Sequence, residues 1–274
     1  MRVSRSLILG LVGLPLLGAA TAAEAVPLLA HRAVYDLALD KASDKTGITG
    51  LRGRMVYEFN GSPCEGWTVN FRFVTRIDTG ETSRLTDQQT TTFEDAEGKT
   101  FSFLTKSYTD ASLDKEVKGT AVREGEALKV DIDKPEPNEL ELPVTQFPTQ
   151  HLEELIKKAK AGEAFYETSL FDGSENGDQV MTTTVVVGKE KSAEASDPEL
   201  PALKNLAKDH YWPIDIAYFD QANDGGEELP EYRIAFKLHE NGLTRDLEMD
   251  YGDFALKGKL VDLRVFDPPA HACN

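Results

Sequence analysis

Gly66-Trp67-Thr68-Val69-Asn70-Phe71-Arg72-Phe73-Val74-Thr75-Arg76-Ile77 decides the fold class of this chain. Trp67, Val69, Phe71, Phe73 and Ile77 alternate with Thr68, Asn70, Arg72 and Arg76. A period of two is the mark of a strand with one buried face and one wet face. Leu128, Val130 and Ile132 alternate with Lys129 and Asp131 in the same way, and similar runs start at Ala33, Met55, Phe101, Phe165, Val180, Tyr232, Leu243 and Phe254. A dozen or more strands are expected. The chain therefore reads as mainly β, a many-stranded, mostly antiparallel sheet.

One hairpin can be set in register from its turn. Asn241-Gly242 suits a two-residue type I′ turn, because both residues tolerate positive φ. Phe236 would then face Leu247, Ile234 Met249 and Tyr232 Tyr251, each apolar against apolar. That register puts Arg245 opposite Leu238 on the apolar face, where an inward cation either meets an anionic ligand or snorkels out at a strand end. After Gly258 the alternation slips by one, from Phe254, Leu256 and Leu260 to Val261, Leu263 and Val265. A β-bulge causes such a slip and bends the sheet, so the strands are expected to curl towards a spiral or an open barrel-like form with an interior.

Helical signals are few. Thr149 is placed to cap a helix over 149–161, ending before Gly162, with Leu152, Leu155, Ile156 and Ala159 on one stripe. A weaker helical stretch covers 196–209, interrupted by Pro198 and Pro201. Lys134 to Pro148 holds four prolines and reads as a connecting loop.

Residues 1–25 have the parts of an export signal: Arg2 and Arg5, an apolar core from Leu7 to Leu17, then small residues, with cleavage expected after Ala22, Ala23 or Ala25. The apolar core is too short to span a bilayer, and no later stretch is long enough. Residues 26–274 are then a single exported domain. Its two cysteines, Cys64 and Cys273, are expected to form one disulfide in an oxidising compartment, with a pair of free thiols as the rival reading. The bond would close a loop of 209 residues (273 minus 64), worth roughly 5 kcal/mol in the chain-entropy model.

The net charge is −17, or −19 once Arg2 and Arg5 are removed if Glu24 stays. Such a field repels phosphate backbones, which sets nucleic acid aside as a partner. His31, His151, His210, His239 and His271 are scattered without metal-ligand spacing, and no catalytic or phosphate-loop motif is present. Two acidic loops imitate calcium sites incompletely. In 172–178 the closing carboxylate position falls on Thr183, and in 220–231 a ligand position is Ala222. Both read as turns without metal. No cofactor and no catalytic residue is assigned.

Several ordered phrases resemble one family: His31-Arg-Ala-Val-Tyr35, Phe171-Asp-Gly173-Ser, Trp212-Pro-Ile-Asp-Ile-Ala-Tyr218-Phe219, Pro230-Glu-Tyr232, Asn241-Gly242 and Tyr251-Gly-Asp-Phe254, with the late Cys273. Together they are similar to the cell-envelope integrity EipB family, over nearly all of the mature chain. The resemblance implies a periplasmic β-spiral protein of Gram-negative bacteria needed for envelope homeostasis. It also implies that Cys64 and Cys273 are the bonded pair, and it carries over no catalytic residue. The expected function is non-enzymatic binding of an envelope protein or an amphipathic molecule. A lipid or lipoprotein carrier with an apolar cavity, and a hydrolase with an unrecognised site, stand as alternatives.

Overall fold

The computed structural model describes residues 26–174, 176–220 and 229–267. The expected signal segment, Cys273, His271 and most of the 220–231 loop lie outside the described residues. Fourteen strands form one antiparallel sheet: β1 (His31–Ala42), β2 (Ile48–Ser62), β3 (Gly66–Thr79), β4 (Ser83–Glu94), β5 (Thr100–Thr109), β6 (Ser112–Glu124), β7 (Ala127–Lys134), β8 (Asn138–Pro143), β9 (Phe165–Leu170), β10 (Met181–Val187), β11 (Tyr211–Asp220), β12 (Tyr232–His239), β13 (Thr244–Asp250) and β14 (Phe254–Val265). Across the sheet the order is β8-β7-β6-β5-β4-β3-β2-β1-β14-β13-β12-β11-β10-β9. The sheet is curved and does not close on itself. Beyond β8, Gln146 makes a single parallel bridge to Leu170 of β9, and the chain then enters helix α1 (Pro148–Ala161).

The expected bulge is present, with a displaced position. Val34 pairs Asp262 and Tyr35 pairs Leu260, so Val261 is the extra residue. Leu260 and Leu263 both turn inward, while Val261 and Val265 are exposed. The hairpin register also needs correction. Ile234 faces Met249 as expected, but Lys237 faces Arg245 and Leu238 faces Thr244. His239 N–H donates to the Leu243 carbonyl and Gly242 has φ +84°, so the loop is Glu240-Asn241-Gly242, a three-residue turn that moves the register by one. A second irregularity around Asp246, at φ +53°, restores it.

Three further elements depart from expectation. The proline-rich connection contains β8, whose Leu140 and Leu142 pack against the core. An edge strand tolerates flanking prolines because one of its sides needs no ladder. Of the 196–209 stretch, only α2 (Leu200–Leu203) and a following 3-10 turn (Lys204–Lys208) are helical, and Tyr211 already begins β11. Helix α1 starts one residue early, with Pro148 in its first turn and Thr149 inside it. Its cap comes from elsewhere: the buried Glu94 carboxylate, at the end of β4, accepts the Thr149 N–H at 2.8 Å and the Gln150 N–H at 3.3 Å. A carboxylate there satisfies two orphan donors and complements the helix dipole.

The expected stripe on α1 is buried at Leu155, Ile156 and Ala159 and partly buried at Leu152. It joins a large cluster with Tyr35, Trp212, Leu238 and Leu247 from β1 and β11 to β13. A second cluster, under β5 to β7, gathers Phe101, Phe103, Leu128, Val130, Phe147 and Phe171. The acidic loop at 172–178 closes this second cluster. Ser174 N–H donates to Asp172, and Gly177 N–H to the Ser174 carbonyl. A Cβ on Gly173 (φ +70°) would come within 2.5 Å of the Phe103 ring. Only glycine combines that backbone with that approach.

Candidate ligand-binding cavity

The inner faces of strands at both ends of the chain meet around an open, aromatic space. From β1 to β3 come Tyr35, Met55, Tyr57, Phe71 and Phe73, and from β12 and β13 come Tyr232, Ile234, Phe236, Leu247 and Met249. They enclose about 350 Å³. A neighbouring cavity of about 260 Å³ shares Phe73, Gln88 and Tyr251 with it, so the two are continuous along the concave face. The alternation of β3 explains the wall: Phe71, Phe73 and Ile77 point inward as expected but are only partly buried. They pack against the large cluster on one side and border open space on the other. Such residues in a cavity of this size are the usual lining of a small-molecule site.

Tyr218, Tyr232, Tyr251 and Phe254 form a ladder at one end, with successive ring centroids 5.5, 5.0 and 5.0 Å apart. Gly252 (φ +82°) makes the tight turn that presents Tyr251. Neutral polar groups share the second cavity with Tyr251 and Phe254. Thr86 and Gln88 of β4 and Ser107 and Thr109 of β5 line the second cavity together with Thr75. Asp87 also borders it, but Arg72 binds that carboxylate with two hydrogen bonds of 3.1 and 2.8 Å. This pairing holds Asp87 below the usual carboxylate range. Burial pushes the phenols of Tyr57 and Tyr232 above their ordinary value, so both stay neutral. Among the described residues, neither cavity has a lysine, arginine or histidine in its lining.

Two larger grooves, about 490 Å³ each, differ in kind. One is bordered by Glu124, Lys129, Asp131, Glu139 and Glu141, the other by Lys160, Glu163, Lys189, Glu190 and Glu240. Charged borders of this sort hold water well. The aromatic cavity is the better candidate site.

Arg245 is placed elsewhere. It is fully buried, with Nη1 donating to Asp197 at 2.7 Å and to Glu199 at 3.0 Å, and Nε donating to His239 Nε2 at 3.0 Å. Its Nη2 has no hydrogen-bond partner among the described residues. Glu199 also accepts the N–H groups of Asp246 and Leu260, and Lys237 pairs with Asp197 and Asp246. These bonds pin the segment before α2 onto β13 and β14. His239 meets Arg245 and not the carboxylates, and these atoms are buried, so among the described residues no cleft exposes them to a substrate.

The cysteine and acidic-loop positions are also clear in part. Cys64 lies exposed in the turn between β2 and β3. Thr183, the position where a calcium loop needs a carboxylate, is buried in β10 with its hydroxyl donating to the Thr168 carbonyl. Among the described residues, no group of three or more His, Cys, Asp or Glu is arranged to hold a metal ion. No helix of the described residues is long and apolar enough to cross a membrane.

Sequence reading missed the β4 and β5 wall. Thr86, Gln88, Ser107 and Thr109 carry no apolar alternation, although the threonine run at 90–92 is a strand signal in its own right.

Comparison with known proteins places this geometry. The EipB-like family profile matches residues 22–267. A Brucella abortus (strain 2308) protein named cell envelope integrity protein EipB is 57% identical over 253 residues, covering 91% of this chain and 89% of that protein. The crystal structure of a β-barrel-like protein from Brucella abortus, described as a domain of unknown function, superposes with a TM-score of 0.84 at 56% identity, covering 89% of this chain and 100% of that one.

Proposed function

The chain belongs to the EipB-like family, and from that premise we propose that it is a periplasmic, non-enzymatic protein that supports cell-envelope integrity by holding an amphipathic molecule against its concave face. The observation that carries this reading is the open aromatic cavity, walled by Phe71, Phe73, Ile234 and Phe236 yet unfilled by any side chain. A core built for packing alone leaves few voids larger than a water, whereas this one is of ligand size. The relative's name, cell envelope integrity protein, supports the cellular setting. Export through residues 1–25, cleaved after Ala22, Ala23 or Ala25, and a Cys64–Cys273 disulfide are part of the same proposal. They make 26–274 one domain with its tail fastened beside the β2–β3 turn.

Native mass spectrometry of protein purified from envelopes without detergent tests the reading. A bound species of lipid-like mass is expected, and Ile234→Glu should abolish it while leaving the folded protein intact. Recovery of bare protein, together with photocrosslinks from position 73 that capture only another protein, would overturn it in favour of a scaffolding role. Peptide mapping without reductant tests the disulfide, since two unpaired thiols would remove it.

A further inference from the structure

The chemistry of the cavity walls goes further and assigns the head group of the occupant. We infer that it is neutral and rich in hydroxyls, a sugar-like head on a single alkyl chain; this inference rests on the cavity reading above. The aromatic wall has no polar demand and suits the chain. The second cavity, beside the apolar Leu51, Ile77 and Leu256, offers the Ser107 and Thr109 hydroxyls and the Gln88 amide, while the Thr75 and Thr86 hydroxyls bond each other at 2.6 Å. Each can donate and accept, which matches a partner that also does both. An anionic head would need cationic donors to replace its water, and among the described residues neither cavity lining supplies a lysine or arginine. The net charge of −17 adds long-range repulsion. A cationic head would have only the aromatic faces to hold it, because the bordering carboxylate of Asp87 is engaged by Arg72 at 2.8 Å, and a desolvated cation gains most where a carboxylate joins the rings. The Tyr232–Tyr251–Phe254 rings supply flat apolar faces, the surface on which the C–H face of a sugar ring rests. At 350 Å³ the apolar compartment is at the small end of ligand sites, which selects one chain over a bulky multi-chain lipid.

Dodecyl maltoside, dodecyl sulfate and dodecyltrimethylammonium share one chain and differ in the head. Each is titrated below its micelle concentration against the full mature protein carrying the neutral dye N-phenyl-1-naphthylamine, with free maltose as the control that has the head but no chain. The maltoside should displace the dye at concentrations about tenfold or more below either ionic detergent, and maltose alone should not displace it. Gln88 is exposed, so Gln88→Lys should leave folding unchanged and narrow the gap between maltoside and sulfate about tenfold. Equal displacement by all three detergents, or displacement by maltose alone, would overturn the head-group assignment while leaving the cavity standing. Failure of the dye and all three detergents to bind would overturn both.

Discussion

The inner surface of β12 and β13 supports two regions of opposite character. At one end Arg245, Asp197, Glu199 and His239 form a sealed ionic knot, with Arg245 wholly buried. At the other end Ile234, Phe236, Leu247 and Met249 border an open cavity without charge. The difference is one of purpose. Buried ions are tolerable only when partners replace their water, so every strong bond of the knot is spent inside the protein. The cavity spends little internally and keeps its surfaces available. Stability should therefore reside in the first region and binding in the second.

That division can be broken by crossing the effects. Arg245→Ala would leave Glu199 without its buried cation and Asp197 with Lys237 alone, and should cost about 3–5 kcal/mol of stability, read from urea unfolding. Its affinity for N-phenyl-1-naphthylamine should stay within about twofold of the parent. Phe73→Ala should do the reverse, because its ring is only partly buried and borders both cavities. Dye affinity should fall about tenfold, with a smaller loss of stability than Arg245→Ala. If Arg245→Ala abolished binding in folded protein, the two regions would be one.

Acid should loosen the knot before the cavity. Burial, with the adjacent Arg245, pushes the His239 imidazole down from 6.5 to about 4. Between those values the unfolded chain binds the extra proton, so the His239 contribution is complete above pH 6.5 and is lost as the pH falls towards 4. Burial raises the Asp197 carboxyl, but the Glu199 N–H, Arg245 and Lys237 outweigh it and hold it at about 2. Its contribution is present above pH 3.8 and disappears as the pH falls through 2. Urea midpoints at pH 7 and pH 4.5 should differ, and His239→Gln should reduce that difference, the rest coming from His31 and His151, which burial also shifts down. The smallest effect is at the helix: Glu94→Gln keeps the shape of the cap but removes its charge, at about 1 kcal/mol. Amide exchange at Thr149 and Gln150 should quicken while β12 and β13 stay protected.

The sequence made the strands of β3, β7, β12 and β14 legible because a half-buried strand writes its period directly into the residues. It did not distinguish Phe71 and Phe73 facing a cavity from the same residues facing a core, since both settings select the same side chains. β4 wrote no period at all: its inward Thr86 and Gln88 are as polar as its outward residues. The Glu94 cap was illegible for a different reason. It joins residues 55 apart in sequence, while Thr149 offered a local cap in the expected place. Likewise Asn241-Gly242 signalled a turn correctly but not its length, and the one-residue difference moved Arg245 from facing Leu238 to facing Lys237.

Of the thirteen strand pairings in the sheet, twelve join strands consecutive in the chain, and only β1 with β14 does not. Tyr35 meets Leu260 across 225 residues (260 minus 35). Two arms, β1 to β8 and β9 to β14, can thus zip up from local hairpins, while the seam between them must wait for the slow closure of nearly the whole chain. A newly made chain would spend that interval with the facing edges of β1 and β14 unpaired, the stage at which it is most open to wrong pairing with other chains.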